Sequence, residues 1–182
     1  MSGENSSVLM GCDFDAATAK AVAGKNIVAM VTNMDGNKLL AVAGQQGLSF
    51  NMGAETTEAA TKDDSTNGWA LKFHAGKNWD ASIDGLYCPD DEATKCVAHA
   101  LANDEYLCLK ILKRTKNADG SITYDPLRMG LAIVTSDNFE APQDDNATYS
   151  MDFEGTGAPW LRETATQEQI AAAQFTIPAP TA

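Results

Sequence analysis

The sequence predicts a mainly β protein with one flanking α-helix, and three patterns support that class. Residues 69–87 alternate apolar and polar side chains on either side of a turn-like segment at 75–78, which is typical of two half-buried antiparallel strands. Residues 147–155 alternate as regularly. Residues 91–102 instead place apolar side chains at helical spacing after a capping aspartate, which predicts the helix.

The overall composition favours one soluble globular domain. The chain has 182 residues with 44% hydrophobic content, enough to bury a core. No apolar run approaches the roughly 20 residues that span a bilayer, and we expect no secretory signal peptide. A net charge of −12, from 25 acids and 13 bases, argues against a protein that grips nucleic-acid phosphates.

The remaining elements follow from local signals along the chain. Residues 1–25 are weakly patterned and predict an N-terminal arm. A capping box at Thr166 and Gln169 predicts a second, short helix over 166–174, followed by an extended tail. Further strands are expected at 26–32, 38–43, 46–50, 105–115, 121–124 and 129–136.

The core is expected to form on the apolar faces of the two strands in 69–87. Trp69, Leu71 and Phe73 share one face of the first strand. Trp79, Ala81 and Ile83 share one face of the second. Large aromatic and β-branched side chains at alternate positions are typical of the buried side of a sheet.

The polar faces of two strands contain only acids, hydroxyls and no base. One face consists of Asp80, Ser82 and Asp84. The other consists of Thr148, Ser150, Asp152 and Glu154. An ordinary solvent-exposed face mixes lysine with acid. The absence of bases on both faces therefore indicates a shared role.

Residues 51–68 are too small, polar and acidic to be buried in a core. They predict a long protruding hairpin or loop. Part of the segment, Glu55 to Thr61, could extend as a strand. A surface loop without a role is the alternative. The residues expected to make contacts from this segment are Glu55, Thr56, Thr57, Glu58, Lys62, Asp63 and Asp64.

The densest group of bases comprises Lys110, Lys113, Arg114 and Lys116. The group is short and the rest of the chain is acidic, so it predicts an ion-pairing surface rather than a nucleic-acid site.

Signals for catalysis or metal binding are weak. None of the four cysteines forms a C-x-x-C pair, and no G-x-S-x-G, H-E-x-x-H or phosphate-loop motif occurs. With two histidines there are few candidates for a general base. We therefore expect no enzyme activity, no cofactor and no metal site.

Three stretches in order resemble the major tail tube proteins of long-tailed, non-contractile bacteriophages. They are the polar segment 54–69 ending in Gly-Trp, the strand 77–87, and the run 145–158 ending in Gly-Thr-Gly. The resemblance covers residues 26–160, leaving 1–25 as an arm and 161–182 as a C-terminal helix and tail.

The resemblance implies a β-sandwich or barrel that assembles into stacked hexameric rings, forming a tube through which double-stranded DNA leaves the capsid. The base-free faces would line the lumen, the 51–68 segment would bridge rings, and Lys110, Lys113 and Arg114 would pair with acids of a neighbouring subunit. The implied partners are further copies of the chain and the tape-measure, tail-tip and terminator proteins. The protein would be assembled in the bacterial cytoplasm and reside in the virion tail. Two alternatives remain. One is a β-sandwich that binds a glycan or a protein, with Trp160 and the 51–68 loop as contacts. The other is the tube of a contractile tail or injection machine.

Overall fold

The computed structural model describes residues 21–33, 35–59 and 71–179. Antiparallel strands dominate this part of the chain, with two short helices, which confirms the predicted class. No helix in it is long and apolar enough to cross a membrane. The elements are β1 (Ile27–Thr32), β2 (Leu39–Ala41), β3 (Gln45–Ala59), β4 (Leu71–Leu86), α1 (Glu92–Ala102), β5 (Tyr106–Lys116), β6 (Ile122–Glu140), β7 (Thr148–Leu161), α2 (Gln167–Ala173) and β8 (Phe175–Ile177).

The strands form one sheet that curls toward a barrel. Their order is β2-β1-β5-β6-β7-β4-β3, and β8 pairs with β6. The two ends approach each other at Gln45, whose Nε2 donates to the carbonyl oxygens of Ala29 at 2.6 Å and Val42 at 3.0 Å. The Gln45 Oε1 accepts from the Ala29 amide at 2.9 Å. The Gln45 side chain of β3 therefore makes the hydrogen bonds to β1 that a neighbouring backbone would make in a closed barrel.

The core is centred on Trp79 of β4, which is 3% exposed. Its indole stacks on Phe50 with the ring centroids 5.2 Å apart. The ring also lies across the backbones of Gly130 and Gly155, where any Cβ would collide with it. The indole Nε1 donates to the Gly157 carbonyl at 3.0 Å, so the one polar atom of the ring is satisfied.

Helix α1 covers the open side of this core and is tied to the sheet by its capping residue. Asp91 accepts from the amide of Thr94 at 3.1 Å, which caps the helix. The same oxygen accepts from the amide of Ala43 at 3.2 Å. The Tyr149 hydroxyl donates to the Ala43 carbonyl at 3.1 Å, and burial raises the pKa of Tyr149 well above its usual range.

The turn predicted at 75–78 is wrong, because β4 runs without interruption through these residues. Its first half pairs with β3, and the irregularity between Glu55 and Thr56 takes up one extra residue of β4 as a bulge. Gly53 lies opposite Asn78 and leaves room for its side chain. Long-range pairing has therefore overridden the local turn preference of Gly and Asn.

The expected core contribution of Leu71 and Phe73 is also wrong, since these side chains are 38% and 57% exposed. Trp69 lies outside the described residues, as does most of the predicted arm 1–25. Residues 51–59 of the predicted loop are strand, so the hairpin alternative fits this part of the segment.

Several strands are longer than the sequence predicts. The expected strands at 121–124 and 129–136 are one strand, β6, whose register shift beside Leu112 accommodates Pro126. Strand β7 continues past Gly155 to Leu161, and part of the expected tail forms β8. The capping box of Thr166 and Gln169 forms as predicted and starts α2.

Candidate functional site: a polar face across four strands

The two base-free faces predicted from the sequence form one surface. Strands β4 and β7 are antiparallel neighbours, and their polar residues lie opposite one another. The opposed pairs are Asp80 with Glu154, Ser82 with Asp152, and Asp84 with Ser150, while Thr148 lies opposite Leu86. Two groups of residues that the sequence separates by more than sixty positions therefore share one side of the sheet.

The surface extends onto both flanking strands, which the sequence prediction missed. On β3, Ser49 and Asn51 lie opposite Ser82 and Asp80. On β6, Ser136 and Asn138 lie opposite Asp152 and Ser150. The polar-apolar alternation of residues 47–52 could have indicated the β3 contribution. We call the combined surface the polar face; it consists of Ser49, Asn51, Asp80, Ser82, Asp84, Ser136, Asn138, Glu140, Thr148, Ser150, Asp152 and Glu154.

The polar face contains acids, hydroxyls and amides, and none of its residues is a base. Asn51 Nδ2 donates to Asp80 Oδ1 at 2.7 Å, and Ser136 Oγ donates to Asp152 Oδ2 at 2.6 Å. Hydrogen bonds from Ser136 and Ser82 hold the pKa of Asp152 below its usual range. Asp152 is therefore ionised at neutral pH, and the surface is negatively charged.

The reverse side of the same strands is apolar and packed, so the polar face has a fixed position. Ala81, Ile83, Met151 and Phe153 alternate with the polar residues and are nearly inaccessible to solvent. A one-residue shift in register would bring the acids into the core. Burial therefore fixes which side chains point outward.

Beyond the polar face, β3 and β4 continue as a two-stranded hairpin that we call the hairpin arm, formed by residues 53–59 and 71–78. Its described side chains are exposed. Glu55, Thr56, Thr57 and Glu58 lie on it, and Lys72 pairs with Glu58 at 3.4 Å. The predicted contact residues Lys62, Asp63 and Asp64 lie outside the described residues. Isolated two-stranded hairpins are marginally stable in water, so this extension is suited to packing against another surface.

A family model described as phage tail tube protein matches residues 21–160. The chain belongs to this family. The matched region includes the polar face and the hairpin arm, and it closely follows the 26–160 span of the resemblance noted from the sequence. The resemblance to tail tube proteins is thereby confirmed, and the protein is a structural subunit of a phage tail. A search of curated proteins gave no match.

Solved structures show the same fold. A chain in the tail of an empty gene transfer agent particle, refined with C6 symmetry, has a TM-score of 0.63 and 17% identity, covering 78% of this chain and 98% of that chain. The SPP1 tail tube gives a TM-score of 0.54 at 15% identity, with coverages of 75% and 77%. A chain in the anti-feeding prophage baseplate gives 0.52 at 10% identity, with coverages of 79% and 97%.

The four bases that are grouped in the sequence of this tail tube protein, Lys110, Lys113, Arg114 and Lys116, all lie on β5. Lys110 lies opposite Met30, and Lys113 lies opposite Ile27. Alternation along β5 therefore places Lys110 and Arg114 on one side of the strand and Lys113 on the other. Within the described ranges, none of the three forms an ion pair.

The described part of the tail tube protein contains no group of three or more His, Cys, Asp or Glu side chains placed to hold a metal ion. Cys88, Cys96 and Cys108 are free thiols. His99 Nδ1 lies 3.3 Å from Glu105 Oε2 at the end of α1. The polar face is consequently the candidate site, and its chemistry is that of a negatively charged surface.

Proposed function

We propose that this tail tube protein assembles into stacked hexameric rings whose lumen is lined by the polar face and conducts double-stranded DNA. The observation that supports this is the continuity of a polar surface without bases over four adjacent strands, three of which carry acids. Six-fold symmetry is a property of the gene transfer agent tail, and we extend it to this chain by analogy of fold.

Electrostatics favour this surface as a conduit. Duplex DNA carries about one negative charge per 1.7 Å of its axis. The acids Asp80, Asp84, Glu140, Asp152 and Glu154 present the same sign. A hexamer would have a formal charge of about −72, from −12 per chain. A wall of this kind repels the phosphates, so DNA slides without binding.

The dimensions also fit a DNA channel. Four strands from each of six copies would give a barrel of 24 strands. With a strand spacing of about 4.8 Å and a tilt of about 40°, the backbone diameter is about 48 Å. Side chains of about 6 Å on each wall leave a lumen of about 35 Å, which admits a duplex with room for water and ions.

The hairpin arm is proposed to bridge successive rings, because its exposed strands have no packing partner among the described residues. Lys110, Lys113 and Arg114 are proposed to pair with acids of neighbouring subunits. Tape-measure, tail-tip and terminator proteins would bind the tube interior and its ends. The proposed role is structural, without catalysis, in a virion tail assembled in the host cytoplasm.

We assign the tube to a long, non-contractile tail on the strength of the sequence resemblance. The tube of a contractile injection machine is the alternative, since a chain of the anti-feeding prophage baseplate shares the fold. A stand-alone binding module would have to explain why its polar, base-free side chains follow four strands in register.

Charge reversal of the lining tests the proposal. Particles carrying Asp80, Asp84, Asp152 and Glu154 all changed to Lys should assemble rings but eject DNA more slowly than wild type. The Asn and Gln versions of the same four changes are the matched control and should give an intermediate rate. Ejection at the wild-type rate from Lys-lined tubes would contradict the proposal. Asp84→Lys alone provides the same comparison if the fourfold variant fails to assemble.

A further inference from the structure

A cleft of about 770 Å³ separates the two ends of the curled sheet. Ile27 and Val28 of β1 line one wall, and Gln46 and Leu48 of β3 line the other. Lys25 and Arg114 lie at the same cleft. The Gln45 side chain spans it. Apolar side chains and two glutamines therefore line the cleft together with two bases.

Both walls offer backbone edges with no strand partner in the described residues. Strand β1 pairs with β2 only from Met30 to Thr32, which leaves Ile27 and Val28 outside that ladder. Among the described strands, β3 pairs with β4 alone, so its outer edge is open in that part of the structure. Lys25 and Arg114 are exposed and take part in no ion pair among the residues described.

The other border of the polar face has complementary properties. Strand β5 pairs with β6 only as far as Ile133, so the far edge of 134–140 is open in the described structure. Phe139 is 57% exposed. Glu140 ends β6, and Asp144 and Asp145 follow in the turn before β7. All three are exposed, and none is in an ion pair within the described residues.

We infer that the cleft of one subunit binds the end of β6 and the acidic turn 140–145 of a second copy of this chain. The inference rests on the proposed ring, in which β3 of one copy adjoins β6 of the next because these strands border the polar face. Strands β6, β7, β4 and β3 alternate in direction. The neighbouring β6 therefore runs antiparallel to β3, and its end lies beside the start of β3, at the cleft.

Side-chain phase and charge agree with this docking. Phe139 lies opposite Tyr149, and Leu48 lies opposite Ile83, so both point to the apolar side of the joined sheet. The Phe139 ring of one copy then packs against Leu48 of the next. The acids Asp144 and Asp145 come to the bases Lys25 and Arg114. The contact buries apolar surface and pairs opposite charges, and that combination fixes both register and partner.

Charge exchange tests the contact in the full-length protein. Lys25→Glu with Arg114→Glu should lower the yield of rings and tubes about tenfold at low ionic strength, and less at high salt. Adding Asp144→Lys and Asp145→Lys to the same chain should restore assembly. Lys116→Glu is the matched control, because Lys116 lies two residues further along β5 without lining the cleft. Thermal unfolding of each variant reports whether the subunit itself is folded.

The outcomes separate this contact from the ring proposal. Rings from wild type with unchanged assembly of the Lys25/Arg114 variant would overturn the docking while leaving the ring intact. Loss of assembly without rescue by the reversed acids would show a different occupant of the cleft and would also overturn it. Absence of rings from wild type at every concentration would reject both proposals.

Discussion

Asp80 lies directly opposite Glu154 on the adjacent strand, so two carboxylates face each other across a β ladder. Like charges in this relationship destabilise a sheet. The polar face contains no base that could offset the repulsion. The tail tube protein therefore retains an arrangement that disfavours the isolated subunit, as expected where the charge serves the assembled tube.

Replacing one member of this pair should stabilise the monomer. We expect Glu154→Gln to raise the free energy of unfolding by about 0.2–1 kcal/mol, since it removes the repulsion from Asp80. Urea denaturation at low ionic strength measures the change. Added salt should shrink it. In an Asp80→Asn background the same change should give no gain, and an equal gain there would show that the carboxylates do not interact.

The close contact between Trp79 and the glycine backbones predicts a large loss of stability when a side chain is added there. Gly155→Ala should destabilise the protein by about 3 kcal/mol, because a Cβ would overlap the indole ring and force Trp79 from its position. Thermal unfolding followed by tryptophan fluorescence measures this. Gly76→Ala is the control, since its Cβ would meet only the Glu55 Oε2 at 3.9 Å. Similar melting temperatures for both variants would contradict the packing described.

Replacing the partly buried Asp137 should stabilise the protein in a pH-dependent way. Burial raises the pKa of its carboxyl above the usual value, so the folded state releases this proton at higher pH than the unfolded state. The resulting loss of stability develops as pH rises through the raised pKa and persists at neutral pH. Asp137→Asn should therefore raise the melting temperature at pH 7. At a pH below the ordinary aspartate pKa the gain should vanish, and a constant gain would assign the effect to packing.

Phe73 tests whether the hairpin arm contacts another subunit. The side chain is 57% exposed on the arm, so Phe73→Asp should leave the stability of the monomer nearly unchanged. If the arm bridges rings, the same substitution should shorten tubes measured by negative-stain electron microscopy. Phe73→Leu should restore much of the length, because it keeps an apolar side chain. Tubes of wild-type length from Phe73→Asp would remove this face of the arm from the contact.

The sequence predicted the polar face because alternation is a local property. The periodicity of β4 and β7 showed which side chains share a face, and the buried Ile83 and Met151 confirm the choice. The periodicity of a single strand could not show which distant strands pair with each other. The opposition of Asp80 and Glu154 depends on a register that joins residues more than seventy positions apart.

The errors have the same origin. Residues 75–78 have the composition of a turn, but the ladder with β3 makes them strand. Leu71 and Phe73 have the alternation of a core strand, yet the sheet around them has only two strands and leaves them exposed. In both cases the number and position of neighbouring strands decided the outcome.

A lining of uniform sign also affects how the DNA moves. In the proposed tube the gap between wall and duplex is similar to the Debye length of about 8 Å at physiological salt. Repulsion from all sides then keeps the duplex on the axis of the tube. The cations between the two surfaces stay mobile, so they do not hold the DNA against the wall. Divalent cations, which bridge carboxylates and phosphates, would link the wall to the DNA and slow its passage.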